Sequence, residues 1–379
     1  MKRFLTLILA LAAACASSCS GSAERHISDF STEVYTPIYA SKFDIRGTRK
    51  DASTLITVHS PWQGAANLDQ HLILLRGKAK APRNTDVQAV RAPVRRVVCM
   101  SSSHVALFDA IGQAPRIVGV SGIDYIHNPL IRERSLCGEV RDVGYDSNLD
   151  FELLTALNPD LILLYGVSGE NTVVTGKLRE LGIPYLYVGD YVEESPLGKA
   201  EWIVAAAELC DLRGTGIDSL RKIATRYNAQ KTRLDPADAR PKVMLNTPYR
   251  DTWFMPPVQS YMVRLIEDAG GSYVYPKNRS NASVAVELEE AYLLASGADF
   301  WINVGACDSL KELTAQNPKF AEIPAVVDRC VWNNNRRQTP AGGSDFWESG
   351  TVRPDVVLHD LRTILCGGDD STYYYKRLE

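Results

Sequence analysis

From Arg95 onward, short runs of buried-type apolar residues alternate with stretches of helical periodicity. Arg96-Val97-Val98-Cys99-Met100 reads as a strand. Ser101 opens a helix whose apolar face is Val105, Leu107, Phe108 and Ile111, ended by Gly112. Strands follow at Ile117–Val120, 160–165 and 184–188, with helices at Phe151–Leu157 and 170–181 between them. After residue 240 the pattern repeats. Strands are expected at Lys242–Leu245, 300–304 and 330–332, and helices at 261–269, 286–296 and 355–366. Strands that are apolar on both faces and alternate with helices predict mainly parallel sheets covered on both sides.

Two stretches break the alternation. Residues 199–234 are helical with no strand between them. Trp202, Ile203, Ala206 and Leu209 mark one amphipathic helix; Ile217, Leu220, Ala224 and Tyr227 mark a second, with Gly214 and Gly216 dividing them. The second is long enough to act as a stiff connector between two α/β units. Residues 33–80 read as β, with Leu55–Val58 and Leu72–Leu75 separated by the turn chemistry of Pro61-Trp62-Gln63-Gly64, and 78–93 as a polar linker. The resulting expectation is an α/β protein. Its parts are a leader at 1–19, a tether and small N-terminal β appendage at 20–93, an N-terminal α/β lobe at 94–198, a helical connector at 199–235 and a C-terminal α/β lobe at 236–379.

The first residues change the picture. Met1-Lys2-Arg3 is a basic start, and the apolar run Phe4–Ala14 has signal-peptide length, too short to span a bilayer. Cysteines at 15 and 19 each follow small residues, the pattern of a lipoprotein cleavage site. Cys19 is preferred as the lipidated residue, because Ser20-Gly21-Ser22 suits a flexible tether. The body is therefore expected outside the cytoplasm, periplasmic or at the cell surface, on a lipid anchor. A net charge of -3 gives no reason to expect nucleic acid as a partner.

Catalytic signatures are mostly missing. The chain has no GxGxxG after a strand, no Walker A sequence, no HExxH and no GxSxG elbow. The six histidines are scattered, none at i, i+4 spacing, and the remaining cysteines form no CxxC pair, so no metal site and no cofactor are expected. Ser102 or Ser103 beside His104 is the one nucleophile-like pairing. The simpler reading is that this helix start, with Ser102 and His104, contacts a polar ligand edge. Aromatics in loops after strands are the positive signal: Tyr125, Tyr145, Tyr165, Trp253, Trp332 and Trp347, mixed with Asn334 and Arg336. Such a set suits a large ligand that is partly aromatic and partly anionic, bound beyond the carboxyl ends of the strands.

In order and spacing, several of these pieces resemble class III substrate-binding proteins of ABC importers, over roughly residues 94–366. They are Arg96–His104, Ile117–Val120, Leu157-Asn158-Pro159-Asp160-Leu161-Ile162, Leu181-Gly182-Ile183-Pro184, Leu265–Gly271 and Ala298-Asp299. Tyr249–Trp253 and Gly343–Glu348 resemble Bacteroidetes-type lipoproteins of that class. The resemblance implies two Rossmann-like lobes with a central cleft, joined by one long helix, with no enzymatic activity. It also implies a small-molecule metal chelate as ligand: an iron-siderophore first, for which Arg250 and Arg336 are the candidate cations, with vitamin B12 (a corrinoid) or haem as alternatives. Glu170 and Glu267 match by position the glutamates through which such proteins dock on the membrane subunits of the importer. A scaffold or sensor lipoprotein without transport is the reading from another class.

Overall fold

The computed structural model describes residues 24–379, except 66, 84–86, 168, 233–238, 251 and 369–370. Cys15 and Cys19 lie outside the described residues.

The N-terminal β section forms a five-stranded sheet in the order β1 (Thr32–Tyr35), β2 (Phe43–Gly47), β3 (Thr54–His59), β4 (Asp69–Leu75) and β5 (Gln88–Arg91). The first four strands are antiparallel, and β5 joins β4 in parallel. Residues 88–91, expected to be linker, are thus a strand: Val90 is buried and apolar enough to extend the sheet. Side chains alternate between two faces. Ile45, Ile56, Val58, Leu72 and Leu74 enter the main core. Leu55, Ile73 and Leu75 build a smaller core with Phe30 and Ala79.

This sheet packs closely on the rest of the chain. It lies against the helix Pro196–Leu209, every residue of which is buried. The Phe43 and Trp202 rings meet at 4.8 Å. Buried carboxylates need partners, and the sheet and the loops between its strands supply them. Glu201 accepts hydrogen bonds from the Tyr35 hydroxyl (2.6 Å) and from the amides of Ile38, Tyr39 and Ala40. Glu193 accepts from the amides of Ser41 and Lys42, and Glu208 from Thr54 and Arg76.

The first lobe holds β6 (Val97–Cys99), β7 (Ile117–Val120), β8 (Arg141–Asp142), β9 (Leu161–Leu164) and β10 (Tyr185–Tyr187). Their order is β10-β9-β6-β7-β8, with every pair parallel. The crossover helices begin where short polar side chains cap them. Ser101, Asn128, Asp150 and Asn171 each accept an amide of the first turn.

The second lobe holds β11 (Lys242–Leu245), β12 (Thr252–Met255), β13 (Ser272–Tyr273), β14 (Val284–Glu287), β15 (Phe300–Ile302), β16 (Val331–Asn333) and β17 (Lys376–Arg377). Its main sheet runs β13-β11-β15-β16-β17, parallel except for β17, and β12 pairs with β14 in a separate antiparallel ribbon. Val286 belongs to that ribbon. The helix expected from 286 begins at Leu288, because Trp253 pairs opposite Val286.

The connector helix is Arg213–Gln230, 18 residues or about 27 Å. Gly214 and Gly216 lie inside it and do not divide the helices. The break falls at Cys210–Leu212, where Asp211 turns left-handed at φ 60°. Gly216 serves contact instead: a Cβ there would stand 2.6 Å from the Ala207 methyl of the helix Pro196–Leu209. One continuous core runs from the N-terminal sheet through both helices into the second lobe.

Candidate functional site

In open α/β sheets, ligands bind beyond the carboxyl ends of the strands, where the strand order reverses. The order reverses between β6 and β9 in the first lobe and between β11 and β15 in the second. A cavity of about 330 Å³ lies at the second of these points, lined by Asn246 after β11 and Asn303 after β15, and it reaches the first lobe past its edge strand, at Tyr191 after β10; Tyr261, Trp347 and Trp62 also line it. That volume is within the range of small-molecule pockets. Asn246 and Asn303 are each the first residue past a strand, and both turn left-handed, at φ 64° and 60°. Asparagine tolerates that conformation better than most residues, so the chain leaves the sheet abruptly and presents polar atoms at its rim.

The cavity lining is mostly uncharged. Lys42, Glu193 and Glu194 are its ionisable side chains apart from the tyrosines. Glu193 is buried beneath the surface; burial raises its pKa, against the amides of Ser41 and Lys42 and the Trp202 indole, which lower it. Burial likewise pushes up the phenols of Tyr191 and Tyr261, which therefore stay neutral. The Lys199 ammonium lies 4.4 Å from the centre of the Tyr261 ring and 3.7 Å from Asp190.

The expected site residues divide sharply. Trp347 is half-exposed and lines the cavity, its ring edge-on to Phe346 at 4.8 Å. Trp253 is wholly buried in the core of the second lobe, packed on Trp301 at 5.4 Å and donating from its indole to the Leu245 carbonyl at 2.9 Å. Trp332 is buried within β16, with Arg377 over its ring. His104 is also wholly buried. Burial pushes it down to about 4. These three were expected at the ligand and are core residues. Their apolar neighbours in sequence drew them inward, so His104 is also unplaced to serve Ser102 or Ser103 as a base.

Ser102 is half-buried in the first turn of Ser102–Asp109. Tyr125 and Tyr145 are exposed on first-lobe loops, and Tyr165 is half-buried with its phenol raised by burial and by Asp146. Arg250 is exposed, stacked on Tyr249 at 5.4 Å, and Asn334 is buried with its carbonyl accepting from Ser344. Arg336 donates from Nε to the Tyr375 carbonyl, which ties it to the C-terminal segment. Glu267 is exposed on the helix Tyr261–Asp268. Glu170 accepts from Thr175 at 2.7 Å and pairs with Arg179 at 3.3 Å. Trp62, Tyr191, Tyr261, Asn246 and Asn303 were missed. For Asn246 a signal existed, since it directly follows the apolar strand run; Asn303 was expected inside the strand 300–304, which ends at Ile302.

The loop carrying Trp347 also holds the lobes together. Thr339 donates to the Asp124 carbonyl at 2.7 Å, and Glu348 accepts the His127 amide at 2.7 Å. Gly343 lies so near Tyr125 that a Cβ would come within 2.1 Å of its carbonyl oxygen. Burial is the main cause that raises Glu348 from 4.5 to about 7; Asp345 adds to it, and the amides of His127 and Asn128 oppose it. A carboxyl raised in the folded state contributes stability that is fully present below about 4.5 and is lost as pH rises through about 7. Across that window the melting temperature of the native chain should fall relative to Glu348→Gln. Parallel curves would show that Glu348 does not titrate in this contact.

Two parallel-sheet lobes, bridged by a long helix and with a cavity between them, define a two-lobed solute-binding fold. The chain belongs to the periplasmic binding protein family, whose model matches residues 97–331, more than half of the chain. It is 27% identical over 297 residues to one uncharacterized lipoprotein of Methanocaldococcus jannaschii, covering 76% of this chain and 69% of that one. To a second from the same organism it is 27% identical over 341 residues, covering 82% and 81%. Among solved structures, the fold is similar to the vitamin B12 binding protein BtuF of Vibrio cholerae (TM-score 0.52, 17% identity, 72% of this chain and 97% of that one). It is also similar to a periplasmic heme binding protein of Pseudomonas aeruginosa (0.55, 16%, 76% and 98%). A third is the siderophore binding protein FhuD of Vibrio cholerae bound to Fe3+-Desferal (0.52, 18%, 72% and 99%).

Proposed function

We propose that this protein is an extracytoplasmic, lipid-anchored binding protein that captures a metal chelate in the inter-lobe cavity and delivers it to an ABC importer. The observation that carries this reading is the cavity itself, lined from both lobes by aromatic side chains, amides and hydroxyls, with Lys42, Glu193 and Glu194 as its charged residues. The signal-like first residues and the lipoprotein names of the Methanocaldococcus relatives support the anchor. Names of the similar structures span corrinoid, haem and siderophore ligands.

The lining refines the choice among chelates. Arg250 and Arg336, the cations expected to hold an anionic siderophore, are not among the lining residues. Among the described lining residues Lys42 is the one cation, so a chelate with mostly uncharged polar edges, such as a ferric hydroxamate or a corrinoid, matches this wall better than a polyanionic one, most of whose charge would lose water without finding a partner. For docking, Glu267 offers a free carboxylate on one lobe. Glu170, on the other lobe, is partly engaged, since one of its oxygens takes both Thr175 and Arg179.

The test titrates residues 20–379 with cyanocobalamin, haemin and ferric desferrioxamine and follows tryptophan fluorescence. Saturable quenching at micromolar affinity or better, about -8 kcal/mol, is the expected result for one of them. Absence of binding by all three sinks the chelate reading. Uptake by cells carrying Glu267→Arg should then fall while binding in vitro stays intact; unchanged uptake removes Glu267 from docking.

A further inference from the structure

The stretch that matches the family begins at residue 97, after β5. Yet Lys42, Ser60, Trp62, Gln63 and Ala65, all from the N-terminal sheet, line the inter-lobe cavity. We propose that this sheet forms a third, ligand-contacting wall of the binding site, with Trp62 as a specificity-determining side chain. This rests on the cavity being the ligand site.

The turn Ser60–Ala65 between β3 and β4 is held against the strand ends of the first lobe. Gln63 donates its amide to the Val167 carbonyl at 3.3 Å and its side chain to the Tyr191 hydroxyl at 3.4 Å. The Trp62 ring sits edge-on to Tyr187, 5.1 Å between centroids and 69° between planes. It also lies against the backbone at Gly166, where a Cβ would stand 3.1 Å from Trp62 Cβ and Cε3. Gly166 follows β9 by two residues, so the absence of a side chain there is what lets the indole reach the site. The sheet behind this turn is fastened by the buried Glu193, Glu201 and Glu208 described above, which makes the wall a rigid one.

Trp62 lines two cavities. One is the inter-lobe cavity of about 330 Å³. The other, of about 290 Å³, lies between the N-terminal sheet and β10 and is lined by Gln70, His71, Tyr185 and Tyr187 as well as Trp62. The indole is therefore a partition. A ligand in the inter-lobe cavity meets its face, and truncation would both remove that face and open the site into the second space. Aromatic anchors in such positions carry a large share of binding energy, and a wall that limits size discriminates among ligands by exclusion.

The experiment is equilibrium dialysis of the mature chain against cyanocobalamin, haemin and ferric desferrioxamine, each followed by its own absorbance. Trp62→Ala, Trp62→Phe and Trp347→Ala are compared with the native chain. Trp62→Ala should weaken the bound probe by about tenfold or more and narrow the difference between probes. Trp62→Phe keeps a ring at the partition and should recover most of the affinity, which separates loss of the wall from loss of fold. If Trp347→Ala weakens binding while Trp62→Ala leaves it unchanged, the wall is refuted and the cavity stands. If neither variant changes binding, or no probe binds the native chain, the cavity reading falls and this proposal with it.

Discussion

Glu201→Ala should destabilise the protein by about 3–5 kcal/mol, measured by urea unfolding. Glu201 is wholly buried within the helix Pro196–Leu209, and its two oxygens collect a tyrosine hydroxyl and three consecutive loop amides. The substitution removes every one of these acceptors at once. The donors remain under the N-terminal sheet, and a buried donor without a partner costs about 1–3 kcal/mol. Limited proteolysis should show the loss first between β1 and β2, where Ile38, Tyr39 and Ala40 lie. An exposed carboxylate such as Glu267 is the control, expected within about 0.5 kcal/mol of the native chain on truncation to alanine. A cost below about 1 kcal/mol for Glu201→Ala would mean that the sheet is held by apolar packing alone.

Trp253→Ala should cost a comparable amount, about 3–5 kcal/mol, and should do so without touching the ligand. Its ring is fully buried and packs against Trp301 and, at 6.0 Å, Phe320. Alanine leaves a void that the short strands around it cannot close, and it strands the Leu245 carbonyl. Trp253→Phe refills most of that space and should be milder. Chelate affinity measured below the onset of unfolding should match the native chain in both variants. A selective loss of binding at unchanged stability would return Trp253 to the ligand site.

The contrast between Trp253 and Trp347 shows where sequence reading fails. Both are tryptophans near loops, each with a polar residue on one side and a phenylalanine on the other. The first pairs in an antiparallel ribbon that folds its indole inward. The second sits after a turn pinned to the other lobe and keeps its face open. His104 tells the same story. It follows three serines that suggest a polar site, but a helix turns by about 100° per residue, and its position carries it with Val105 and Leu107 into the core.

The sequence by itself determined the two α/β lobes, the long connecting helix and the longer strands of the parallel sheets, but not the two-residue strands β8 and β13. Those features follow from local periodicity, capping side chains and buried apolar runs, which are written within a few residues of the structure they produce. The site was decided by tertiary structure. Trp62 reaches the cavity because Gly166, about a hundred residues away, leaves room for it, and Asn246 meets Asn303 because β11 lies beside β15 in the sheet. Which side of a loop residue faces ligand and which faces core depends on contacts between segments far apart in the chain, and no local pattern encodes those contacts.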